Sequence, residues 1–227
     1  MQMKNFKKFC ILGERNSGTN FLCSAILNNF DLSLSEPCNK HFWRKETNFP
    51  KNVIIIGIVR NIFHWVNSMY HSPYHLQPNL KKPKNKFDFL NNSFYSIYDI
   101  KEEHKNYGKE ILDDRHIYTN CKYKNIFEAR YTKYGFLLPM LTCSNKNFYF
   151  IKYENLNENY EDEINKISNF FEINLLNKKI KQVDTYRGFP KSEKMINVKR
   201  KPIIFSEQEI KCHPDYDNEK EIKFGYS

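Results

Sequence analysis

Three runs of apolar residues without polar alternation mark the chain, and they span 9–12, 53–59 and 148–151. Runs of this kind are typical of strands in a parallel sheet that is covered on both faces. Each run is followed by a segment whose apolar residues recur at helical spacing, and these segments span 20–30, 62–70 and 160–171. Strands that alternate with helices predict an α/β fold with a mostly parallel central sheet.

Residues 72–125 depart from this alternation. Three prolines interrupt regular structure, at 73, 78 and 83, and four lysines cluster nearby, at 81, 82, 84 and 86. We predict an insertion over the sheet edge that contacts an acceptor, because its tyrosines, lysines and Asp113-Asp114-Arg115 suit a sugar or another polar molecule. A merely solvated loop is the alternative. Helical periodicity returns over 126–141, so we expect a single domain, 1–227, that carries this insertion.

Composition narrows the class of protein without choosing a partner. With 227 residues, of which 40% are hydrophobic and 16% aromatic, the chain is long and apolar enough for a sizeable core. Its formal net charge of +10 fits nucleic acid, an anionic surface or a small polyanionic ligand. The alternative is that the excess lysines are spread over solvated faces.

Two further patterns concern location and metals. No apolar stretch approaches the roughly 18 residues of a membrane span, and the N-terminus lacks a signal-peptide run, so we expect a cytoplasmic protein without a membrane span. The six cysteines lie far apart and form no CxxC pair, which favours free, reduced thiols. Metal-ligating residue types do not cluster at ligand spacing, so no metal is expected.

The segment from Gly13 to Asn20, Gly-Glu-Arg-Asn-Ser-Gly-Thr-Asn, follows the first strand and opens the first helix. Backbone N–H groups in such a glycine-containing turn, together with the helix N-terminus, bind anionic oxygens. The spacing from Gly13 to Gly18 matches the P-loop, but Thr19 stands where a kinase or ATPase needs lysine. The loop therefore predicts a phosphate-type ligand that is held without the usual nucleoside triphosphate machinery.

A second segment begins where the second strand ends. Arg60 closes that strand, and Ser68 follows eight residues later, about two helical turns along the next helix. Ligands of open α/β sheets bind at the carboxyl ends of the strands. An arginine and a hydroxyl placed there suit a second phosphate group, one by charge and one by hydrogen bonding. An ordinary ion pair of Arg60 is the alternative.

Together these segments resemble the PAPS-dependent sulfotransferases, in particular microbial sulfotransferase-like proteins; PAPS is 3′-phosphoadenosine 5′-phosphosulfate. The matching segments are Asn16-Ser17-Gly18-Thr19-Asn20, the pair Arg60 and Ser68, and Tyr153-Glu154-Asn155-Leu156. The resemblance covers about 9–70 and 126–172. It implies the P-loop NTPase-like sulfotransferase fold, which is a three-layer sandwich, with PAPS as co-substrate and no metal.

The resemblance also implies roles for individual residues around the nucleotide. The 5′-phosphosulfate would be held by Arg15, Asn16, Ser17, Gly18, Thr19 and Asn20. Phe21 would stack near the adenine, with helix packing as the alternative, and Tyr153 would lie near the nucleotide. Arg60 and Ser68 would hold the 3′-phosphate. The family usually has lysine or arginine where this chain has Asn16, so we expect Arg15 to supply the charge that stabilises the leaving phosphate.

Transfer to an acceptor hydroxyl calls for a base that removes its proton. The motif Lys40-His41-Phe42-Trp43 provides the first candidates, with His41 as the base and Lys40 as the cation that stabilises the sulfuryl oxygens. Glu14, inside the loop, is the second candidate base, and a salt bridge with Arg15 is its alternative role. A structural histidine is the alternative for His41.

The sequence therefore predicts a sulfotransferase that acts on a hydroxyl or amine of an unknown small-molecule or glycan acceptor. Three alternatives stay open: a catalytically inactive sulfotransferase-like nucleotide binder, a kinase with a degenerate P-loop, and a basic nucleic-acid-binding protein. Nucleic acid is not the expected partner under the main interpretation. The sequence does not predict the oligomeric state.

Overall fold

The structure, a computed structural model, describes residues 6–35, 41, 52–99, 105–142, 147–188, 192–195 and 202–226. The strands are β1 (Lys8–Leu12), β2 (Ser33–Leu34), β3 (Val53–Val59), β4 (Phe148–Lys152), β5 (Thr185–Gly188) and β6 (Ser192–Met195). The α-helices are α1 (Thr19–Asn29), α2 (Ile62–His71), α3 (Pro78–Lys81), α4 (Lys86–Asn91), α5 (Ile126–Thr142), α6 (Tyr153–Glu158), α7 (Tyr160–Phe171), α8 (Glu207–Lys211) and α9 (Asn218–Lys223). A short 3-10 helix spans Leu112–Asp114.

These elements divide into two compact units. The sheet unit comprises Met1–Lys40, Asn48–Arg60 and Pro139–Lys199. The helical unit comprises His41–Thr47, Asn61–Leu138 and Arg200–Ser227. This division does not test whether the chain folds as one domain, which stays a prediction.

A parallel sheet with the strand order β2-β1-β3-β4 is the basis of the sheet unit. The register of β1 on β3 joins Ile11 to Ile56, and that of β3 on β4 joins Ile58 to Ile151. Every residue of β3 is buried, as expected for a strand covered on both faces. The predicted α/β class with a parallel central sheet is confirmed.

Two helices supply apolar side chains to the core of the sheet unit. Leu22 and Ile26 of α1, and Ile164 and Ile167 of α7, belong to the same buried cluster as the strand residues. Their spacing of three or four residues places each pair on one helix face, because an α-helix has 3.6 residues per turn. The predicted helices at 20–30 and 160–171 correspond to α1 and α7. The antiparallel pairing of β5 with β6 was not predicted.

The predicted insertion at 72–125 lies within the helical unit and carries α3, α4 and the 3-10 helix. Its apolar residues are buried: Leu76, Leu80, Phe89 and Phe94 are at most 1% exposed. Isolated bridges such as that between Phe94 and Tyr123 hold the segment together. The alternative of a merely solvated loop is therefore wrong for the described part of this segment, and its contact with an acceptor stays a prediction.

One detail of this segment corrects the sequence interpretation. The sequence places Asp114 in a surface that suits a sugar or another polar molecule, but Asp114 is 1% exposed and accepts hydrogen bonds from Ser96 and Lys133. Arg115 donates to Glu110 across 2.9 Å. A charge-rich triplet that reads as a surface is thus partly an internal ion-pair site.

The cysteines also depart from expectation. Cys10 in β1 is disulfide-bonded, so the expectation that all six thiols are free is wrong. Cys23, Cys121 and Cys212 are thiols that form no disulfide. Within the described ranges, no helix combines the length and apolar character that a membrane crossing requires.

Candidate functional site

The loop between β1 and α1 is shaped by two residues in the left-handed region. Asn16 has φ 62° and Gly18 has φ 95°. Asparagine is among the few residues that enter this region readily, which gives a backbone reason for its presence where the resembled family has lysine or arginine. The turn is closed by Ser17, whose N–H donates to the carbonyl oxygen of Glu14 at 3.2 Å. The loop ends at the N-terminus of α1, and helix N-termini in general favour anions.

Both loop glycines are required by close packing within the sheet unit. A Cβ atom at Gly18 would lie 2.3 Å from Cδ2 of Tyr153. A Cβ atom at Gly13 would lie 2.7 Å from both Cγ2 and the carbonyl oxygen of Ile58. The loop is therefore seated directly on the end of β3 and on the first residue of α6.

Arg60, at the end of β3, joins this arrangement. Its NH1 atom donates to the carbonyl oxygen of Asn16 at 3.1 Å. Its guanidinium carbon lies 4.7 Å from the ring centroid of Tyr153, which is cation–π distance. The structure thus brings together three features that the sequence singled out separately: the loop, the strand-end arginine and Tyr153.

Glu14 and Arg15 carry buried charge inside the loop. Glu14 is 0% exposed and Arg15 is 2% exposed. The distance from Arg15 NH1 to Glu14 Oε2 is 4.0 Å, so the predicted alternative role of Glu14 as the ion-pair partner of Arg15 has a geometric basis. Ser17 and Thr19 are also buried, whereas Asn16, Gly18 and Asn20 are half-buried.

Phe21 faces the core of the sheet unit. It is 6% exposed, stacks on Tyr160 with ring centroids 6.0 Å apart, and meets Tyr153 edge to face at 6.3 Å. This geometry agrees with the helix-packing alternative, and a role beside the adenine stays a prediction.

Ser68 lies on α2 in the helical unit and is half-buried. The helix begins after Asn61, whose side chain accepts from the N–H of Phe63 at 3.0 Å, as an N-cap does. One residue before Ser68, the Asn67 side chain accepts from the N–H groups of Ile204 and Phe205 at 2.7 and 2.9 Å. Asn67 thereby ties the C-terminal segment to the helix that carries Ser68, a contact that sequence reasoning missed.

His41 is half-buried in the helical unit, and its carbonyl oxygen accepts a hydrogen bond from Lys133 Nζ at 2.9 Å. Lys133 of α5 also pairs with Asp114. Lys40, the proposed cation of the same motif, lies outside the described residues. Sequence reasoning missed Lys133 because a single lysine in a helical pattern carries no signal of burial.

A second cluster in the helical unit joins His75, Lys81 and Asp99. His75 Nδ1 lies 2.9 Å from Asp99 Oδ1, and Lys81 Nζ lies 2.7 Å from Asp99 Oδ2. Burial by itself raises the pKa of Asp99, but the hydrogen bonds from His75 and Lys81 outweigh it and bring that pKa well below its ordinary value. His75 has φ 59°, a strained conformation that this cluster stabilises.

Within the described part of the chain, no group of three or more His, Cys, Asp or Glu residues is arranged to hold a metal ion. In the sheet unit, the features that suit an anion are the loop backbone, the N-terminus of α1 and the cations Arg15 and Arg60, and anion binding by them stays a prediction.

Comparison with known proteins gives a family match and a structural match. A family model described as a sulfotransferase domain matches residues 40–211. Among solved structures, the chain is similar to mouse sulfotransferase SULT7A1 complexed with PAP, at 19% sequence identity and a TM-score of 0.46. That match covers 77% of this chain and 64% of the mouse chain, so the chain spans less than two thirds of the mouse protein's structure. No curated protein matches the chain.

Proposed function

The chain belongs to the sulfotransferase domain family, and from this premise we propose that it transfers a sulfuryl group from PAPS to a hydroxyl or amine of a small-molecule or glycan acceptor. The observation that carries the proposal is the junction of the loop, Arg60 and Tyr153 within the sheet unit. An anion-binding loop beside a strand-end arginine suits a nucleotide with two separate phosphate positions.

The proposed cofactor contacts divide between two ends of the nucleotide. The loop N–H groups, the α1 N-terminus and Arg15 would hold the 5′-phosphosulfate. Arg60 and Ser68 would hold the 3′-phosphate, by charge and by hydroxyl donation respectively. Because Arg60 already contacts the loop through the Asn16 carbonyl oxygen, its loss is expected to loosen the loop slightly as well.

The proposed reaction is a direct displacement at sulfur. The acceptor oxygen forms a bond to sulfur, the bond from sulfur to the bridging phosphate oxygen breaks, and 3′-phosphoadenosine 5′-phosphate (PAP) leaves with the electron pair. The acceptor proton passes to His41 as general base, with Glu14 as the second candidate. Arg15 and Lys40 would stabilise the charge that develops on the leaving phosphate and on the sulfuryl oxygens.

Calorimetric titration with PAP tests the binding step. We expect saturable 1:1 binding that needs no added metal and that Arg60→Ala weakens about 10- to 100-fold, because a hydrogen bond to a charged group contributes about 1.5–3 kcal/mol. A wild-type protein that shows no binding at millimolar PAP contradicts the proposal. Binding that requires magnesium and ATP would favour the kinase alternative, and affinity for DNA that falls steeply with salt would favour the nucleic-acid alternative.

Asn16 favours one alternative function, that of a nucleotide binder without turnover. Its amide is a neutral donor, and a charge-assisted hydrogen bond is about twice as strong as a neutral one. Incubation with PAPS separates the two functions, since the enzyme releases PAP and sulfate or a sulfated acceptor, whereas the binder holds PAPS unchanged. A variant Asn16→Lys that gains turnover would identify the missing charge as the cause.

A further inference from the structure

Lys133 is a buried cation on α5. It forms an ion pair with Asp114 in which both side chains are 0% exposed. Asp114 also accepts from the hydroxyl of Ser96, and the Tyr123 ring lies 5.7 Å from Lys133 Nζ. An ammonium group has three N–H donors. The ammonium of Lys133 donates one hydrogen bond to the carbonyl oxygen of His41, at 2.9 Å.

Stability alone is a weak reason for such a pair. Replacing a buried ion pair by apolar residues of similar volume is often neutral or stabilising. What distinguishes Lys133 is the hydrogen bond to a main-chain atom 92 residues earlier in the chain, in the motif that carries His41. Asp114 fixes the ammonium by an ion pair, and the ammonium fixes the main chain at His41 by a hydrogen bond.

We propose that Lys133, fixed by Asp114, is a positioning residue that sets the main chain at His41 for proton transfer. This inference rests on the proposed function, in which His41 is the base. A general base acts when it lies within about 3 Å of the heavy atom whose proton it removes, or through one water. A displacement of about 1 Å lowers the rate roughly 100-fold, so a fixed backbone at His41 has a direct kinetic consequence.

A matched control lies on the same helix. Arg130, three residues before Lys133, forms an ion pair with Glu221 whose side chains are 0% and 2% exposed. Its two hydrogen bonds to that carboxylate measure 2.7 and 2.8 Å. The double variant Lys133→Met/Asp114→Leu removes the first pair, and Arg130→Met/Glu221→Leu removes the second. Each double variant removes both charges of its pair, so both are expected to fold.

The first readout is the ring spectrum of His41 in the full chain, measured by NMR with labelled histidine. The chain has 7 histidines, and the signal of His41 is identified by its loss in His41→Gln. We expect the Lys133→Met/Asp114→Leu variant to shift the position and the pH titration of this signal, and the Arg130→Met/Glu221→Leu variant to leave both unchanged. Equal His41 signals in the two double variants would overturn the proposal.

The second readout is PAP release from PAPS. The Lys133→Met/Asp114→Leu variant should lower kcat at least 10-fold while KM for PAPS stays within about twofold, because the proposed change displaces the base and leaves the residues proposed to hold PAPS in place. The control double variant should keep both constants. A shifted His41 signal with unchanged kcat would overturn the positioning role. Absent PAP binding in the wild type would instead overturn the proposed function, while the NMR comparison would still decide whether Lys133 holds His41.

Discussion

The loop of the sheet unit and the buried ion pairs of the helical unit are stabilised in different ways. In the sheet unit the loop takes its shape from left-handed residues and from a glycine pressed against an aromatic ring. In the helical unit, Arg130 and Lys133 are held by carboxylates away from water. The comparison teaches that the loop proposed to bind an external anion is set by backbone shape, whereas the internal cations of the helical unit are set by charge pairing. A different kind of substitution should therefore destabilise each unit.

The largest expected loss of stability follows from removing one partner of a buried ion pair. Lys133→Met should lower the free energy of unfolding by about 3–5 kcal/mol, because it leaves the buried Asp114 carboxylate without its cation. The double variant with Asp114→Leu should recover most of that loss. Urea unfolding measures both values. A single variant as stable as the double variant would show that the Asp114 charge is satisfied by other groups.

The next largest loss of stability is expected from a substitution that disturbs the backbone of the loop. Gly18→Ala should destabilise the sheet unit by about 2–4 kcal/mol, since it combines a clash with the Tyr153 ring and a left-handed backbone. Gly108→Ala is the matched control: Gly108 has φ 74°, but a Cβ atom there meets nothing within 4 Å. It should lose only about 1–2 kcal/mol, from backbone strain alone. Equal losses in thermal or urea unfolding would mean that the ring contact is unimportant.

A smaller effect is expected on PAP affinity, and two variants distinguish the contribution of the Tyr153 ring from that of its hydroxyl. Tyr153→Leu removes the face on which the Arg60 guanidinium rests, a contribution of about 0.5–2 kcal/mol. PAP affinity should therefore fall roughly 2- to 30-fold, and Tyr153→Phe should retain the wild-type affinity. Calorimetry on the three proteins decides the point. A loss in the Phe variant as large as that in the Leu variant would assign the effect to the hydroxyl instead.

The smallest effect concerns pH. Because hydrogen bonds from His75 and Lys81 lower the pKa of Asp99 despite its burial, the ionised carboxylate stabilises the fold. This contribution is fully present above the ordinary value of 3.8 and is lost as the pH falls below it towards the lower folded pKa. The stability difference between wild type and Asp99→Asn should accordingly shrink between about pH 4 and pH 2. A difference that stays constant over this range would contradict the assignment.

The sequence predicts local elements in both units, including α2 and α5, but it does not predict contacts between distant residues. β1, β3, β4, α1 and α7 follow from local apolar periodicity, and the loop follows from its glycine spacing. The pairing of Lys133 with Asp114 and of Asn67 with Phe205 joins positions far apart in the chain. Local sequence patterns do not predict contacts between residues that lie far apart in the chain. For the same reason Asp114 reads as a surface charge in the sequence although it is buried.

The measurement that tests the central claim most directly is a calorimetric comparison of two ligands, PAP and adenosine 5′-monophosphate, which lacks the 3′-phosphate. Wild type and Arg60→Ala are titrated with both. The account predicts that wild type binds PAP at least 10-fold more tightly, and that Arg60→Ala removes most of this preference while changing adenosine 5′-monophosphate affinity less than about fivefold. Equal wild-type affinity for the two ligands, or a preference for PAP that survives Arg60→Ala, would contradict it.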